Sequence, residues 1–572
     1  MSMRVLIIGG VACGPKAASR LKRLRPDADI TIIEKGNMVS YGACGIPFFV
    51  EGVFTELDEL IKTPVGVPRT PAFFEKVKGV RMLTGTEALR IDRTAKKVRV
   101  KKRDSGSEED FDYDKLVLAT GARPFQPSIP GLDLSNVWFM THPDDAAGLK
   151  KKIEGMDLRK AVLVGAGFIG LEMAEALVNQ GIQVTMVEMC NQIMPGILDL
   201  DIALIAAKHL RQKGVNIILE QMVIGLEGTQ DVKAVITDQQ RIDADVVIIA
   251  AGFRPNDQLA RDAGILCSDK GGILIDEFCR TNDPDIYAGG DCALNRYVDP
   301  KINTPFYTPL GSIANKHGRT IANHIGGISI PFSGTALTAI ARTFEFTIGK
   351  TGFTEKQARD LEMDIETFII AGPDKPHYMP DSKSIILKMI ASRKDRKLIG
   401  IQVVGPGNGS KRLDVAAAMI RMGASLEQVA DIDFGYAPPY GPALDPLAAC
   451  AHMLMNKLDG IAQGISPLEA KDRIDQGEVV LLDVRTPQEL EAMQLPYSFV
   501  HIPLGALRSK VSELPKDKDI LAYCKISLRG FEAQRILNAA GFDRVKFIEG
   551  GIVGWPFDLG QDQKSSKQEG KS

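Results

Sequence analysis

Two cysteines at opposite ends of the chain sit in contexts that can do chemistry. Cys44 lies in Ser40-Tyr41-Gly42-Ala43-Cys44-Gly45-Ile46-Pro47, with no second thiol within reach along the chain. Cys524 opens Cys524-Lys525-Ile526-Ser527-Leu528-Arg529, a CxxxxR loop between a strand pattern over 520–523 and a helix pattern over 531–540. Successive N–H groups in such a loop turn inward and form an anion nest. The nest stabilises a thiolate and then a persulfide, and Arg529 closes it. Phosphatase loops place one more residue between Cys and Arg to hold the larger phosphate, so the shorter loop favours sulfur. The eight cysteines are scattered without a CxxC pair. That spacing fits reduced thiols in a cytosol, neither a disulfide framework nor a zinc site. No metal is expected.

Both loops need elements to position them. Residues 4–8 form an apolar strand, followed by Gly9-Gly10-Val11-Ala12-Cys13-Gly14 and a helix pattern over 16–24. A second strand, 30–33, ends at Glu34. This is a Rossmann opening, in which glycines let the backbone approach a pyrophosphate at a helix N-terminus. Val11 stands where the middle glycine would be. Glu34 can take two ribose hydroxyls. The unit recurs: strand 161–164, Gly165-Ala166-Gly167-Phe168-Ile169-Gly170, helix 171–180, strand 184–187, then Glu188. Three strands with small residues close the units: 116–121 with Ala119, Thr120 and Gly121; 246–252 ending at Gly252; and 286–291 ending at Asp291. Glu188 would repel a 2′-phosphate and no arginine follows in 189–193, so a dinucleotide without that phosphate is expected there.

At 572 residues the chain is too long for one core and implies three to five domains. Lys and Arg number 70 against 72 Asp and Glu, so nothing calls for nucleic acid or an anionic membrane. No apolar run reaches the roughly 18 residues of a membrane span. The first ten residues carry no basic n-region and no cleavage site, which predicts no secretory leader and a cytoplasmic location.

Taken together, these motifs resemble the two-dinucleotide flavoprotein disulfide reductase superfamily over about 1–458. The resemblance implies FAD in the first unit, held by Gly9, Gly10, Gly14, Glu34, Lys35, Ala119, Thr120 and Gly121, with Asp291 on the ribityl chain. It implies NAD(P)H in the second, at Gly165, Gly167, Gly170, Glu188 and Gly252. The SxxxCGxP pattern around Cys44 is similar to the coenzyme A disulfide reductases and the related NADH oxidases and peroxidases. Ala43 departs from the asparagine common in the coenzyme A enzymes. A lone flavin-facing cysteine must cycle as a sulfenic acid, a mixed disulfide or a persulfide. Its thiolate is expected to be favoured by a helix N-terminus and by the flavin's environment. Cys13, inside the first glycine loop, is expected to pack against the helix.

The resemblance also places coenzyme A near Arg20, Arg23, Ser40 and Lys78. It implies that a partner subunit brings Tyr378 and Tyr436 to the active site, hence a homodimer. Leu444 stands where a basic residue can occur. His317, on the flavin-side helix, is read as an acid or as a surface histidine.

The implied fold class is α/β: two Rossmann-like dinucleotide-binding domains (FAD and NAD), an α+β dimerisation domain and a C-terminal α/β rhodanese domain. Expected boundaries are 1–112 and 253–328 for the FAD domain, 113–252 for NAD(P)H, 329–459 for the interface domain, 460–467 as linker, 468–560 resembling rhodanese, and 561–572 as a disordered tail. His501 and Trp555 are expected in the core. The expected activity is an FAD- and NADH-dependent reductase of CoA disulfide, CoA persulfide or polysulfide. Cys44 would attack sulfur and Cys524 would relay sulfane sulfur to CoA. Two alternatives stand beside it. One is an NADH oxidase or peroxidase cycling Cys44 through sulfenic acid. The other is a non-catalytic sulfur carrier or redox sensor.

Overall fold

The computed structural model describes residues 2–155 and 158–559, so the tail expected over 561–572 lies outside the described residues. The architecture is α/β, in two compact units. One comprises the chain up to Met189 with Gln221–Thr335; the other comprises Cys190–Glu220 and the chain from Ala336 onward.

The first unit contains two parallel sheets. In one, the strands run in the order Ile286–Ala288, Lys115–Leu118, Arg4–Ile8, Asp29–Ile33, Arg81–Leu83. Val5 to Ile8 are all buried, which is why this strand reads as an unbroken apolar run rather than an alternating one. The helix Cys13–Leu24 sets Cys13, Ala17 and Leu21 into the core at a spacing of one turn. It begins three residues before the expected 16, because Gly14 and Pro15 enter its first turn, where proline loses no hydrogen bond. Lys115–Leu118 pairs with Arg4–Ile8, so the strand just past the boundary expected at 112/113 belongs to the sheet of the first glycine loop. Ala122–Pro124 and Phe253–Pro255 pair antiparallel. In the other sheet Gln183–Val187, Lys160–Val164, Val246–Ile249 and Val137–Trp138 lie side by side.

In the second unit, an antiparallel sheet runs Ala339–Thr343, Phe346–Gly352, Leu398–Gly405, Ser384–Ser392, Ile365–Pro373. The first two strands of this sheet, Ala339–Thr343 and Phe346–Gly352, are joined by a tight turn in which Phe344 takes φ 49°. No glycine or proline announces that turn. The buried Lys388 ties this sheet to the segment 190–220: it meets Asp201 at 2.7 Å, Glu355 at 2.8 Å and Asp199 at 3.3 Å.

A parallel sheet follows in the order Gly464–Ile465, Val545–Ile548, Asp519–Tyr523, Val479–Asp483, Val500–His501. The stretch 460–467, expected as a linker, supplies its edge strand Gly464–Ile465. The helix Leu528–Ala539 starts at the fifth residue of the Cys524 loop, three before the expected 531. Among the described residues no helix is long and apolar enough to cross a membrane, and no group of His, Cys, Asp and Glu could hold a metal ion.

Candidate functional site

The two glycine loops share one construction. Glu34 Oε2 accepts the Gly10 N–H at 2.7 Å, and Glu188 Oε2 accepts the Ala166 N–H at 2.9 Å. Each acid thus braces the residue after the first glycine. A Cβ on Gly9 (φ 115°) would stand 2.0 Å from the Ala119 carbonyl oxygen, and one on Gly14 would stand 2.0 Å from that of Gly9. Gly165 and Gly170 repeat the pattern at 2.5 Å and 2.2 Å from Ala250 and Gly165 carbonyls. Gly167 faces open space, leaving room for a pyrophosphate. Glu34 also accepts the Gly36 N–H, while Lys35 is exposed.

The first loop fits an FAD. Asp291 Oδ1 is buried with no hydrogen-bond partner among the described residues, and burial pushes its carboxyl up to about 6. A hydroxyl of a bound cofactor would satisfy it. Nearby, Thr120 and Gly121 are locked to Asn256: the Thr120 hydroxyl donates to its carbonyl at 2.6 Å, and its N–H donates to the Gly121 carbonyl at 2.9 Å. Gly252 accepts the Phe125 N–H at 2.8 Å. His317 is neither an acid nor on the surface. It is fully buried, its Nδ1 accepts the Gly290 N–H at 3.1 Å, and burial drives it down to about 4, so it stays neutral. Cys13 is 4% exposed and belongs to the core.

Cys44 occupies a single 3₁₀ turn, Ala43–Gly45, ahead of the six-residue helix Ile46–Glu51. As a residue it is exposed. Its thiol nevertheless titrates above the ordinary range, because protein packed around the sulfur desolvates it and the carboxylates Glu172 and Asp291 oppose its charge. The thiolate expected from a helix N-terminus is therefore not favoured by the chain alone. Glu172, on the helix Phe168–Asn179, is itself raised to about 7, chiefly by burial and then by Glu175. That helix packs against Ile46–Glu51 and holds Glu51 through Asn179 (2.7 Å) and Gln180 (2.6 Å).

The residues expected at coenzyme A differ in freedom. Ser40 is buried at φ 51°, its N–H on the Gly10 carbonyl. Arg20 donates to Asn323 at 3.0 Å, and the Lys78 ammonium lies 5.2 Å from the Phe73 ring centroid. Arg23 is exposed. In the second unit the exposed Tyr378 and Tyr436 interact through their side chains. Leu444 is exposed as well.

Cys524 is fully buried at the end of Asp519–Tyr523. Its carbonyl accepts the Ile552 N–H at 2.9 Å, and that of Lys525 accepts the Val553 N–H at 3.1 Å. Carbonyls turned outward in this way leave the loop's N–H groups to line a nest. Ser527 takes φ 94°, a strained conformation for a side-chain-bearing residue, and its Oγ accepts the Gly550 N–H at 2.7 Å. Arg529 interacts with Cys524 and clasps Glu489 through both terminal guanidinium nitrogens, Nη1 and Nη2, at 2.7 and 2.6 Å. His501 is half-buried against the Arg485 carbonyl, and Trp555 is buried.

The pyridine nucleotide-disulphide oxidoreductase model matches residues 3–312 and its dimerisation domain 339–448. The chain belongs to the pyridine nucleotide-disulphide oxidoreductase family. A rhodanese-like domain matches 466–556. The chain is 35% identical to the NAD(P)H coenzyme A polysulfide/persulfide reductase of Pyrococcus horikoshii, over 79% of this chain and 99% of that one. A NAD-dependent persulfide reductase from A. fulgidus is similar in structure, with TM-score 0.92 and 41% identity over 97% of this chain and all of that one. The reduced Bacillus anthracis CoADR-RHD gives TM-score 0.90 and 32% identity, over 97% and 98%. This oxidoreductase thus joins a flavin- and nicotinamide-binding body to a rhodanese-like domain.

Two site residues escaped the sequence. Glu489 had a signal: Thr486-Pro487-Gln488-Glu489 is a capping box, and the same carboxylate clasps Arg529. Glu172 had none, since its nearness to Cys44 depends on how two helices pack.

Proposed function

We propose that this oxidoreductase is an NADH-dependent reductase of CoA persulfide, CoA disulfide or polysulfide. Cys44 is its nucleophile, and Cys524 relays sulfane sulfur to coenzyme A. One observation carries the reading: an unpaired thiol beside an FAD-fitting loop shares a chain with a second thiol in a nest closed by Arg529. An oxidase has no use for the second thiol.

The Cys44 thiolate attacks the inner sulfur of CoA–S–SH. A disulfide forms between Cys44 and CoA, the S–S bond of the persulfide breaks, and hydrosulfide leaves. Bound FAD, fed by the nicotinamide nucleotide, supplies the electron pair that returns such a disulfide to thiols. Gly9, Gly10, Gly14, Glu34 and Asp291 would hold the FAD. Gly165, Gly167, Gly170 and Glu188 would hold the nucleotide, whose 2′-phosphate form Glu188 disfavours by charge. Arg20, Arg23 and Lys78 supply cations for the phosphates of coenzyme A, and Ser40 stands near the sulfur. The reading includes a cytoplasmic homodimer whose subunits lend Tyr378 and Tyr436 to each other.

The test is anaerobic NADH consumption with CoA persulfide, CoA disulfide and polysulfide, with sulfide assayed alongside. Sulfide release that Cys44→Ser abolishes, while NADH still bleaches the flavin, supports the reading. Turnover only with oxygen or peroxide would overturn it.

A further inference from the structure

The rhodanese-like domain shares one buried charge with the dimerisation domain. Glu549 is 1% exposed. Its Oε1 meets Lys457 Nζ at 2.6 Å, and its Oε2 accepts the Ile369 N–H at 3.0 Å. Lys457 also reaches Glu366 at 3.3 Å and donates to the Thr367 carbonyl at 3.0 Å. These partners of Glu549 all lie outside the domain that carries it. Packing around the pair is tight. Phe368 and Phe547 rings sit 6.2 Å apart, and a Cβ on Gly464 would come within 2.8 Å of Glu549 Oε1.

Two apolar residues could have joined these domains as firmly, because a buried ion pair rarely outperforms a well-packed hydrophobic one. The informative point is where Glu549 sits. It opens Glu549-Gly550-Gly551-Ile552-Val553, and three N–H groups of this stretch hold the sulfur loop: Gly550 to Ser527 Oγ, Ile552 to the Cys524 carbonyl and Val553 to the Lys525 carbonyl. A Cβ on Gly551 would stand 2.6 Å from the Cys524 carbonyl oxygen. These bonds brace the loop around Ser527, whose φ of 94° is strained for a residue with a side chain.

We propose that Glu549 is a positioning residue for sulfur transfer at Cys524. Lys457 and the Ile369 N–H fix its carboxylate, and the stretch that follows sets the Cys524–Arg529 loop. The dimerisation domain thereby shapes the sulfurtransferase site. This inference rests on Cys524 carrying sulfane sulfur.

Thiosulfate and cyanide test it in the full-length protein. The Cys524 thiolate attacks the outer sulfur of thiosulfate, an Sγ–S bond forms, and sulfite leaves with the electrons of the broken S–S bond. Cyanide then takes the terminal sulfur as thiocyanate and restores the thiolate. Lys457→Met strands a buried carboxylate and is expected to lower kcat for thiocyanate by about tenfold or more through misplacement of the loop, with KM for thiosulfate little changed. NADH turnover with CoA disulfide stays at the wild-type level. Adding Glu549→Gln to Lys457→Met restores kcat, because the amide keeps the Ile369 bond without needing a cation. Wild-type kcat in Lys457→Met would overturn the proposal. So would a loss that Glu549→Gln fails to rescue. If the wild type makes no thiocyanate, the carrier reading fails on its own. The positioning claim is then read from iodoacetamide alkylation of Cys524, which Lys457→Met must alter and the double variant restore.

Discussion

Glu489 grips Arg529 with both carboxylate oxygens while accepting the Thr486 N–H at 3.1 Å. One side chain therefore caps the helix Pro487–Ala492 and aims the arginine that closes the Cys524 loop. Arg529→Lys keeps the charge and loses the fork. It should lower sulfur transfer at Cys524 by about 10- to 100-fold, since a planar bidentate contact has no lysine equivalent. Thiocyanate formation checks it.

The same clasp sets a pH dependence. Arg529 first, then the Thr486 N–H, holds Glu489 down at about 2, against an ordinary 4.5. A depressed carboxyl stabilises the fold fully above its unfolded value and loses that contribution as pH falls through the folded one. Both side chains are partly solvated, so the pair is worth about 1 kcal/mol. Wild type and Glu489→Gln should differ in unfolding free energy near neutral pH and converge as pH drops from 4.5 toward 2. A difference that persisted at the acid end would contradict the assignment.

Glu172 opposes charge on Cys44. Glu172→Gln removes that opposition, so the pH profile of Cys44 alkylation by iodoacetamide should move to lower pH. Burial, the larger cause, remains, and the profile should still lie above that of a free thiol.

Asp291 Oδ1 lacks a partner that FAD would supply. Asp291→Ala forgoes that hydrogen bond, worth about 1.5–3 kcal/mol when made to a charged group, and should weaken FAD binding by about 10- to 100-fold. The ratio of flavin to protein absorbance after dialysis reads the loss.

Lys388→Met leaves Asp199, Asp201 and Glu355 without their shared cation. Removing one side of a buried ionic cluster costs about 3–5 kcal/mol. A fall of several degrees in thermal midpoint is expected, with flavin absorbance unchanged before the transition.

Local patterns were legible in the sequence, and contacts between distant segments were not. The glycine loops announce themselves because Gly9 and Gly165 touch the ends of neighbouring strands, where a side chain is forbidden. Helix starts were read three residues late at 13 and 528, because glycine, proline and cysteine disguise a first turn. The turn at Phe344 left no trace, since no glycine marks its left-handed residue. The sequence leaves His317 as an acid or a surface histidine, and only the fold shows it fully buried. Lys457 and Glu549 are 92 residues apart, and nothing in either neighbourhood names the other.

The edge strand Gly464–Ile465 has a practical consequence. Composition invites a cut in 460–467 to release the C-terminal domain. Such a cut would strip the sheet of a border and leave one side of Val545–Ile548 with bare amides and carbonyls. An unpaired edge is a template for self-association. A fragment severed there would report on its own stickiness, and an inactive or aggregated product would say nothing about the sulfur chemistry of the intact chain.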